Sequence, residues 1–363
     1  MDRHGGRAGS PGASWREEFS GLDQRLLVEL QERFPLAVAP FRELGARLGT
    51  GERDVIARVA ALRDFGVLRH ISAIFDGEAL GYSTCLVAMR VPEDRLAAAV
   101  EAVNAHPGVS HNYRREHAFN LWFTIAAPPG SDIDAHIRAL HALAGAESTR
   151  QLPALRRFKI GVSLDLSGKR AMDHRSAPRH TGGAHGAAHE PLTQRDIDII
   201  RAVQGDLPLR AHPFADAARA LGMTEEDLVD ALRDLRQRGG LRRIAGILRH
   251  REAGFGANGM VVWDVPDDRI RSVGEAMAGY TAISHCYERP RYDDWPYNLF
   301  TMIHARSTEE CEAFVAQLAQ AHALHDHAVL YSTQEYKKVR PVYFTPEIAD
   351  WERRHVPATA SRA

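Results

Sequence analysis

Residues 110–125 read SHNYRREHAFNLWFTI, and residues 284–304 read SHCYERPRYDDWPYNLFTMIH. Both open on Ser-His-x-Tyr-x-Arg and reach Asn-Leu-aromatic before an apolar run. Alternate side chains of an extended strand share a face. His111, Tyr113 and Arg115 therefore stand together, as do His285, Tyr287 and Arg289. The next strand begins at Asn120 or at Asn298. The chain has written one strand pair twice, with different residues in the connecting loop.

The repetition extends outward. FPLAVAPF at 34–41 aligns with LPLRAHPF at 207–214, an offset of 173. Leu68, Arg69, Ile71 and Ile74 meet Leu241, Arg242, Ile244 and Ile247 at the same offset. The offset is 174 at the histidines and 178 at Asn120 and Asn298, so the second copy carries four extra residues in its RYDDWPY loop. A period this long duplicates whole domains rather than building a solenoid.

Each copy divides in two. Leu22, Leu26, Leu27 and Leu30 recur at helical spacing; Pro35 ends that helix. A second short helix ends at Gly49, and a third runs to Phe65. In the second copy Thr224 reads as an N-cap followed by Glu225, Glu226 and Asp227. Three short helices followed by VLRHISAIFD or LRRIAGILRH predict a winged helix-turn-helix. The remainder of each copy alternates strand, helix, strand, strand, helix, strand, the ferredoxin-like βαββαβ pattern. The expected class is α+β: a tandem duplication of winged helix-turn-helix plus ferredoxin-like domain. Expected boundaries are a disordered tail at 1–20, helix-turn-helix domains at 21–80 and 192–253, ferredoxin-like domains at 81–166 and 254–345, a flexible linker at 167–191, and a C-terminal tail at 346–363. The linker is rich in Gly, Ala, His and Pro without apolar periodicity; its His174, His180, His185 and His189 read as solvated.

Bulk properties narrow the function. Of 363 residues, 44% are hydrophobic, and the formal net charge is −1, without the basic excess of a dedicated nucleic-acid binder. The acidic first turn after Thr224 would repel a phosphate backbone, so no specific DNA binding is expected despite the motif. Cys85, Cys286 and Cys311 are far apart in sequence, which suits a reducing cytoplasm and argues against a thiolate metal site. No apolar run approaches membrane-spanning length, and residues 1–15 lack the apolar segment of a signal peptide. No metal site is expected.

The repeated imidazole, phenol and guanidinium suit a flat, conjugated polyanion. Arginine grips carboxylates in a fork, aromatic rings cover a planar face, and histidine moves a proton near neutral pH or ligates iron. Around the loop the first copy adds Arg114 and His117, the second Trp295 and Tyr297. No phosphate loop, nucleophile elbow or dinucleotide fingerprint accompanies them.

The helix-turn-helix with its ferredoxin-like partner resembles the Lrp/AsnC regulators. Longer stretches are more specific. FPLAVAPFRELGARLGTGE (34–52), VNAHPGVSHNYRREHAFNLWFTI (103–125) and LRRFKIGVSLDL (155–166) resemble one subunit type of the siroheme decarboxylases; LRRIAGILRHREAGF (241–255), SHCYERPRYDDWPYNLFTMIH and STQEYKKVRPVYF (332–344) resemble its partner type. The resemblance implies both types fused in one chain, forming a pseudo-symmetric dimer whose sheets face each other. It implies loss of the carboxylates of two siroheme acetates, giving 12,18-didecarboxysiroheme for haem d1 or an alternative haem route. No cofactor of the protein's own is implied, the iron belonging to the substrate. Higher homo-oligomers or further homologous subunits both fit. Candidate proton donors are His111, His285 and then His117. Arg114, Arg115 and Arg289 are candidates for carboxylate binding, Tyr113, Tyr287 and Tyr297 for the pocket lining, and Lys337 and Lys338 for added positive charge. The competing readings are a ligand-responsive regulator and a tetrapyrrole carrier without turnover.

Overall fold

The computed structural model describes residues 19–160, 191–248 and 257–356. Apart from Pro191, the expected linker lies outside the described residues, as does nearly all of the expected N-terminal tail. The chain forms two compact units, and they do not follow the order of the copies. One joins residues up to 80 with 189–253; the other joins 81–188 with 254–363. Like has packed with like.

The first unit is the helix-turn-helix pair. Its elements are α1 (Gly21–Glu32), α2 (Pro40–Leu48), α3 (Glu52–Asp64) and β1 (Leu68–Phe75), then α6 (Gln194–Val203), α7 (Ala215–Ala220), α8 (Glu225–Gln237) and β7 (Leu241–Leu248). Capping boxes start α1, α6 and α8, at Ser20 with Asp23, Thr193 with Asp196, and Thr224 with Asp227. Each satisfies donors that the first helical turn leaves open. Gly49 closes α2 in the left-handed conformation, φ 72°. Among the described residues neither copy builds a wing of its own. β1 and β7 pair with each other, antiparallel, about Ser72 opposite Ala245, two residues related by the 173 offset. Leu26, Leu27 and Leu30 of α1 are fully buried, and α1 lies so close over β7 that a Cβ at Gly246 would meet the Leu30 Cβ at 3.1 Å.

The second unit holds the ferredoxin-like pair. The first copy supplies β2 (Ser83–Arg90), α4 (Leu96–Ala105), β3 (Val109–Arg115), β4 (Leu121–Ala127), α5 (Ile133–Ala144), β5 (Ser148–Leu152) and β6 (Arg156–Ile160). The second supplies β8 (Ala257–Trp263), α9 (Ile270–Ala278), β9 (Ile283–Glu288), β10 (Leu299–Ala305), α10 (Thr308–His322), β11 (His327–Lys338) and α11 (Pro346–His355). The order is β5-β2-β4-β3-β11-β8-β10-β9-β6. The closing strands cross between copies. The start of β11 pairs with β8 and its end with β3, while β5 pairs with β2 and β6, three residues on, pairs with β9.

Three apolar layers result. α4 and α5 cover the first copy's strands, α9 and α10 the second's. Between the copies Ala88, Phe119, Trp122, Leu152, Met260, Val262, Trp295, Phe300 and Leu330 form a third core. Residues expected as a C-terminal tail instead form α11 over 346–355, and its Trp351, 3% exposed, joins the first copy's helical core.

Candidate functional site

β3 and β9 carry the repeated motif as the alternation requires. Asn112 points to the helical layer, where its amide donates to Asn104 Oδ1 at 2.9 Å. His111, Tyr113 and Arg115 take the opposite face. The His111 and Tyr113 ring centroids lie 6.1 Å apart; in the second copy His285 and Tyr287 lie 6.0 Å apart, nearly stacked. Burial first, then His304, Arg289, His111 and Lys159, depresses the His285 pKa to about 4.

Sequence reasoning missed His304. The Ser284 hydroxyl lies 2.9 Å from His285 Nδ1 and 2.7 Å from His304 Nε2. A hydroxyl offers one proton and two lone pairs, so Ser284 bridges the two imidazoles, with the Met302 carbonyl 3.4 Å away as a third partner. In the first copy Ser110 lies 3.0 Å from His111 Nδ1, but at the 178 offset Ala126 stands where the second copy has His304. The only available signal was a histidine on alternate spacing from Met302, at the end of the motif already quoted.

The arginines are pinned by the strand exchange. Arg115 Nη1 donates to the carbonyl of Leu330, and Arg289 Nη1 to the carbonyl of Leu152. Each guanidinium lies over aromatic rings, Arg115 near Tyr113 and Trp122, Arg289 near Tyr287 and Phe300. Burial pushes the Arg115 pKa down to about 10, which leaves it charged at neutral pH, and lowers that of Arg289. Each keeps a buried Nε with no hydrogen-bond partner, an unspent donor inside the sheet unit.

The other expected residues distribute unevenly. Tyr113, facing Glu335 across the ladder, has its pKa raised to about 12 by burial and then by that carboxylate, so it stays a phenol. Lys338 lies opposite His111 in register and 3.6 Å from Glu335. Lys337 goes elsewhere. It stands opposite Asn112, and its Nζ donates to the carbonyls of Asn104, at 2.7 Å, and His106 at the end of α4. Arg114 pairs with Glu93 at 2.7 Å near the surface. His117 is set in the loop: its Nδ1 accepts from the Phe119 amide at 3.0 Å and its ring meets Trp295 edge-on at 5.3 Å. Burial, then Arg90, lowers its pKa.

The second copy's insertion explains this last contact. Trp295, 1% exposed, is buried against Phe119 and Trp122 of the first copy, and Tyr297 packs on it at 5.1 Å. Asp294 forms a two-point ion pair with Arg150, at 2.8 and 2.9 Å, and the Tyr292 hydroxyl donates to the Gln151 carbonyl at 2.5 Å. The four extra residues thus let one copy's loop cover the other. The two motif faces share a plan and differ in surroundings.

Comparison with known proteins bears on what such a face does. A model of the siroheme decarboxylase NirDL-like helix-turn-helix domain matches residues 23–69 and 196–242, and one of the AsnC-like ligand-binding domain matches 79–159 and 252–337. A siroheme decarboxylase of Hydrogenobacter thermophilus is 38% identical over 92% of this chain and 98% of its own length. This chain belongs to the siroheme decarboxylase family. Another member, the siroheme decarboxylase NirDL subunit of Paracoccus denitrificans, is 36% identical over 87% of this chain and 95% of its own. The solved siroheme decarboxylase NirDL superposes with a TM-score of 0.74 at 34% identity, covering 92% of this chain and 98% of that one, and the same enzyme has been solved in complex with an iron-uroporphyrin III analogue. A siroheme decarboxylase beta subunit of Methanosarcina barkeri matches 40% of this chain over 97% of itself at 42% identity. The family therefore contains single-domain-pair subunits and chains of this doubled length.

Proposed function

We propose that this chain decarboxylates siroheme at two acetate side chains, giving 12,18-didecarboxysiroheme, as a cytoplasmic step towards haem d1 or an alternative haem. The observation that carries the reading is the His, Tyr and Arg face built twice, on β3 and on β9, in one sheet unit whose copies pack on a shared core. The reaction is redox-neutral. A pyrrole-CH2-carboxylate loses carbon dioxide, and the electron pair left on the methylene carbon takes up a proton to give methyl. The protein must supply that proton and hold the other carboxylates.

His285 and His111 are the proposed donors, with His304 reaching His285 through Ser284 and His117 as the next candidate. Without substrate His285 is neutral at cellular pH. A polycarboxylate brought beside it reverses the local field and favours the imidazolium, so substrate itself arms the acid. Arg115 and Arg289 offer their free Nε donors to carboxylates, and Arg114 and Lys338 add charge at the margin. Tyr113, Tyr287 and Tyr297 cover the ring face. Desolvation beside the aromatic core weakens the carboxylate's hold on its charge. Iron enters only as part of the substrate, and the protein supplies no cofactor.

The deciding experiment incubates purified protein with siroheme without oxygen and follows product mass. Loss of two carbon dioxide units is expected; tight binding without mass change would make the protein a carrier. No specific DNA binding is expected, because α8 opens on Glu225, Glu226 and Asp227. Sequence-dependent gel shifts at physiological salt would favour a regulator.

A further inference from the structure

The duplication makes one half of the helix-turn-helix unit a template for the other. Asp206 sits between α6 and α7 of the second copy. Its carboxylate accepts from Arg63 Nη2 at 2.9 Å and from the backbone N–H of Ile71 at 3.0 Å. The chain there runs against β1, bridging Ser72 to Asp206. On this side a carboxylate belonging to the protein fills the space between a helix-end arginine and an open strand edge.

The offset of 173 carries Arg63 to Arg236, Ile71 to Ile244 and Asp206 to Arg33. The acid has become a base. Ile244 stands opposite Ala73, two ladder positions from the pair of Ile71 and Gly246. Antiparallel ladders alternate in hydrogen bonding, so the Ile244 N–H points away from β1 as the Ile71 N–H does, and among the described residues β7 has no other strand beside it. Among the described residues no bridge joins Arg33 to Ala245. In place of the aspartate there is a cavity of about 900 Å3, lined by Arg33, Arg47, Arg236, Arg242 and Arg243 against Glu29 and Glu32, with Phe34, Pro35, Leu241 and Ile244 as its apolar wall. Glu29 is already engaged by Arg33 at 2.7 Å and Arg47 at 3.3 Å, and Arg242 by Asp76 at 2.8 Å. Arg236 and Arg243 are exposed.

We infer that this groove binds a small organic polycarboxylate, one carboxylate of which takes the position that Asp206 fills in the other half. Arg236 and the Ile244 N–H receive that group, Arg33 and Arg243 reach further acidic groups, and the apolar wall takes the carbon body. The size suits a ligand well beyond a single ion. The groove is also remote from the acidic start of α8, since Arg236 lies eleven residues on from Glu225, ~16 Å along the helix.

The test uses the full chain and benzene-1,3,5-tricarboxylate as probe, titrated by calorimetry. Wild type should bind it. Arg236→Gln and Arg33→Asp should each weaken binding at least about tenfold. Arg33→Asp is the sharper variant, because it places a carboxylate where Asp206 stands in the other half and should abolish the site, while lowering the melting temperature somewhat because Glu29 loses its Arg33 partner. Arg271→Gln, an exposed change in the sheet unit, should leave binding unaltered. Absence of binding up to about 10 mM probe would overturn the inference. So would binding that survives both Arg236→Gln and Arg33→Asp, since the probe would then sit in the sheet unit.

Discussion

Arg115 in the first copy donates to the carbonyl of Leu330 in the second. The mirror contact, Arg289 to Leu152, runs the other way, and the leucines are themselves equivalent at the 178 offset. Each copy's motif strand therefore grips the other copy's closing strand. The two halves exchange strands in the sheet unit and pair β1 with β7 in the other unit, so backbone pairing joins them in both.

Cleaving the connection between the copies should therefore change little. Protease cutting within residues 167–190 is expected to leave two fragments that co-elute on size exclusion and keep the wild-type circular dichroism. Separation of the fragments in native buffer would contradict the exchange.

The two motif histidines should contribute unequally to turnover. His285 and His304 share the Ser284 hydroxyl, whereas beside Ser110 and His111 the position equivalent to His304 is Ala126. Loss of a general acid typically costs ~10²–10⁴-fold. His285→Ala is expected to fall in that range and His111→Ala to lose less, with siroheme binding by absorbance little changed in either. Equal, roughly twofold losses would point to two independent sites, and near-wild-type turnover in both would move the role to His117.

Stability should decline on the acid side in a manner traceable to buried imidazoles. His106, fully buried, accepts from the Gly108 amide at Nδ1 and meets His136 at 2.8 Å, and His136 meets Glu352 at 2.8 Å. Burial, then His136, Lys337 and His355, lowers the His106 pKa to about 3, and that of His285 stands at about 4. Both are depressed below the unfolded value, so unfolding takes up protons. Their stabilisation is complete above pH ~6.5 and fades as pH falls towards the folded values. Each contributes a slope of at most about 1.4 kcal/mol per pH unit. His285→Gln should flatten the dependence of unfolding free energy on pH between pH 6 and 4.5; an unchanged slope would rule out the buried neutral state.

Gly274 of α9 lies against Phe158 of the exchanged strand β6. An added Cβ would overlap the Phe158 ring of β6, and an aromatic ring packed against a helix has little room to yield. Gly274→Ala is expected to destabilise by ~1–3 kcal/mol, as overpacking does, despite alanine's better helix propensity. Denaturant unfolding would show it, and the double variant Gly274→Ala with Phe158→Leu should recover part of the loss. A stabilised single variant would mean that β6 does not pack there.

The sequence by itself determined the duplication, the two domain types in each copy and the shared face of His111, Tyr113 and Arg115. These are local matters. A period of two or of 3.6 states which side chains point the same way, and capping residues such as Thr224 state where a helix starts. It also held an unread signal for α11, since Pro346 precedes Ile348 and Trp351 at helical spacing. Partner choice was a different matter. LRRFKI reads as a strand, but its alternation is satisfied equally by its own sheet or its neighbour's, and only the total area buried among Phe158, α9 and β9 settles it. Likewise nothing local distinguishes Arg115 bound to a ligand from Arg115 bound to Leu330, or gives His304 its place beside Ser284. Those assignments depend on residues more than a hundred positions apart, or on opposite strands, arriving at one point. Tertiary structure decides them because strand pairing and burial are properties of the assembled sheet and not of any segment within it.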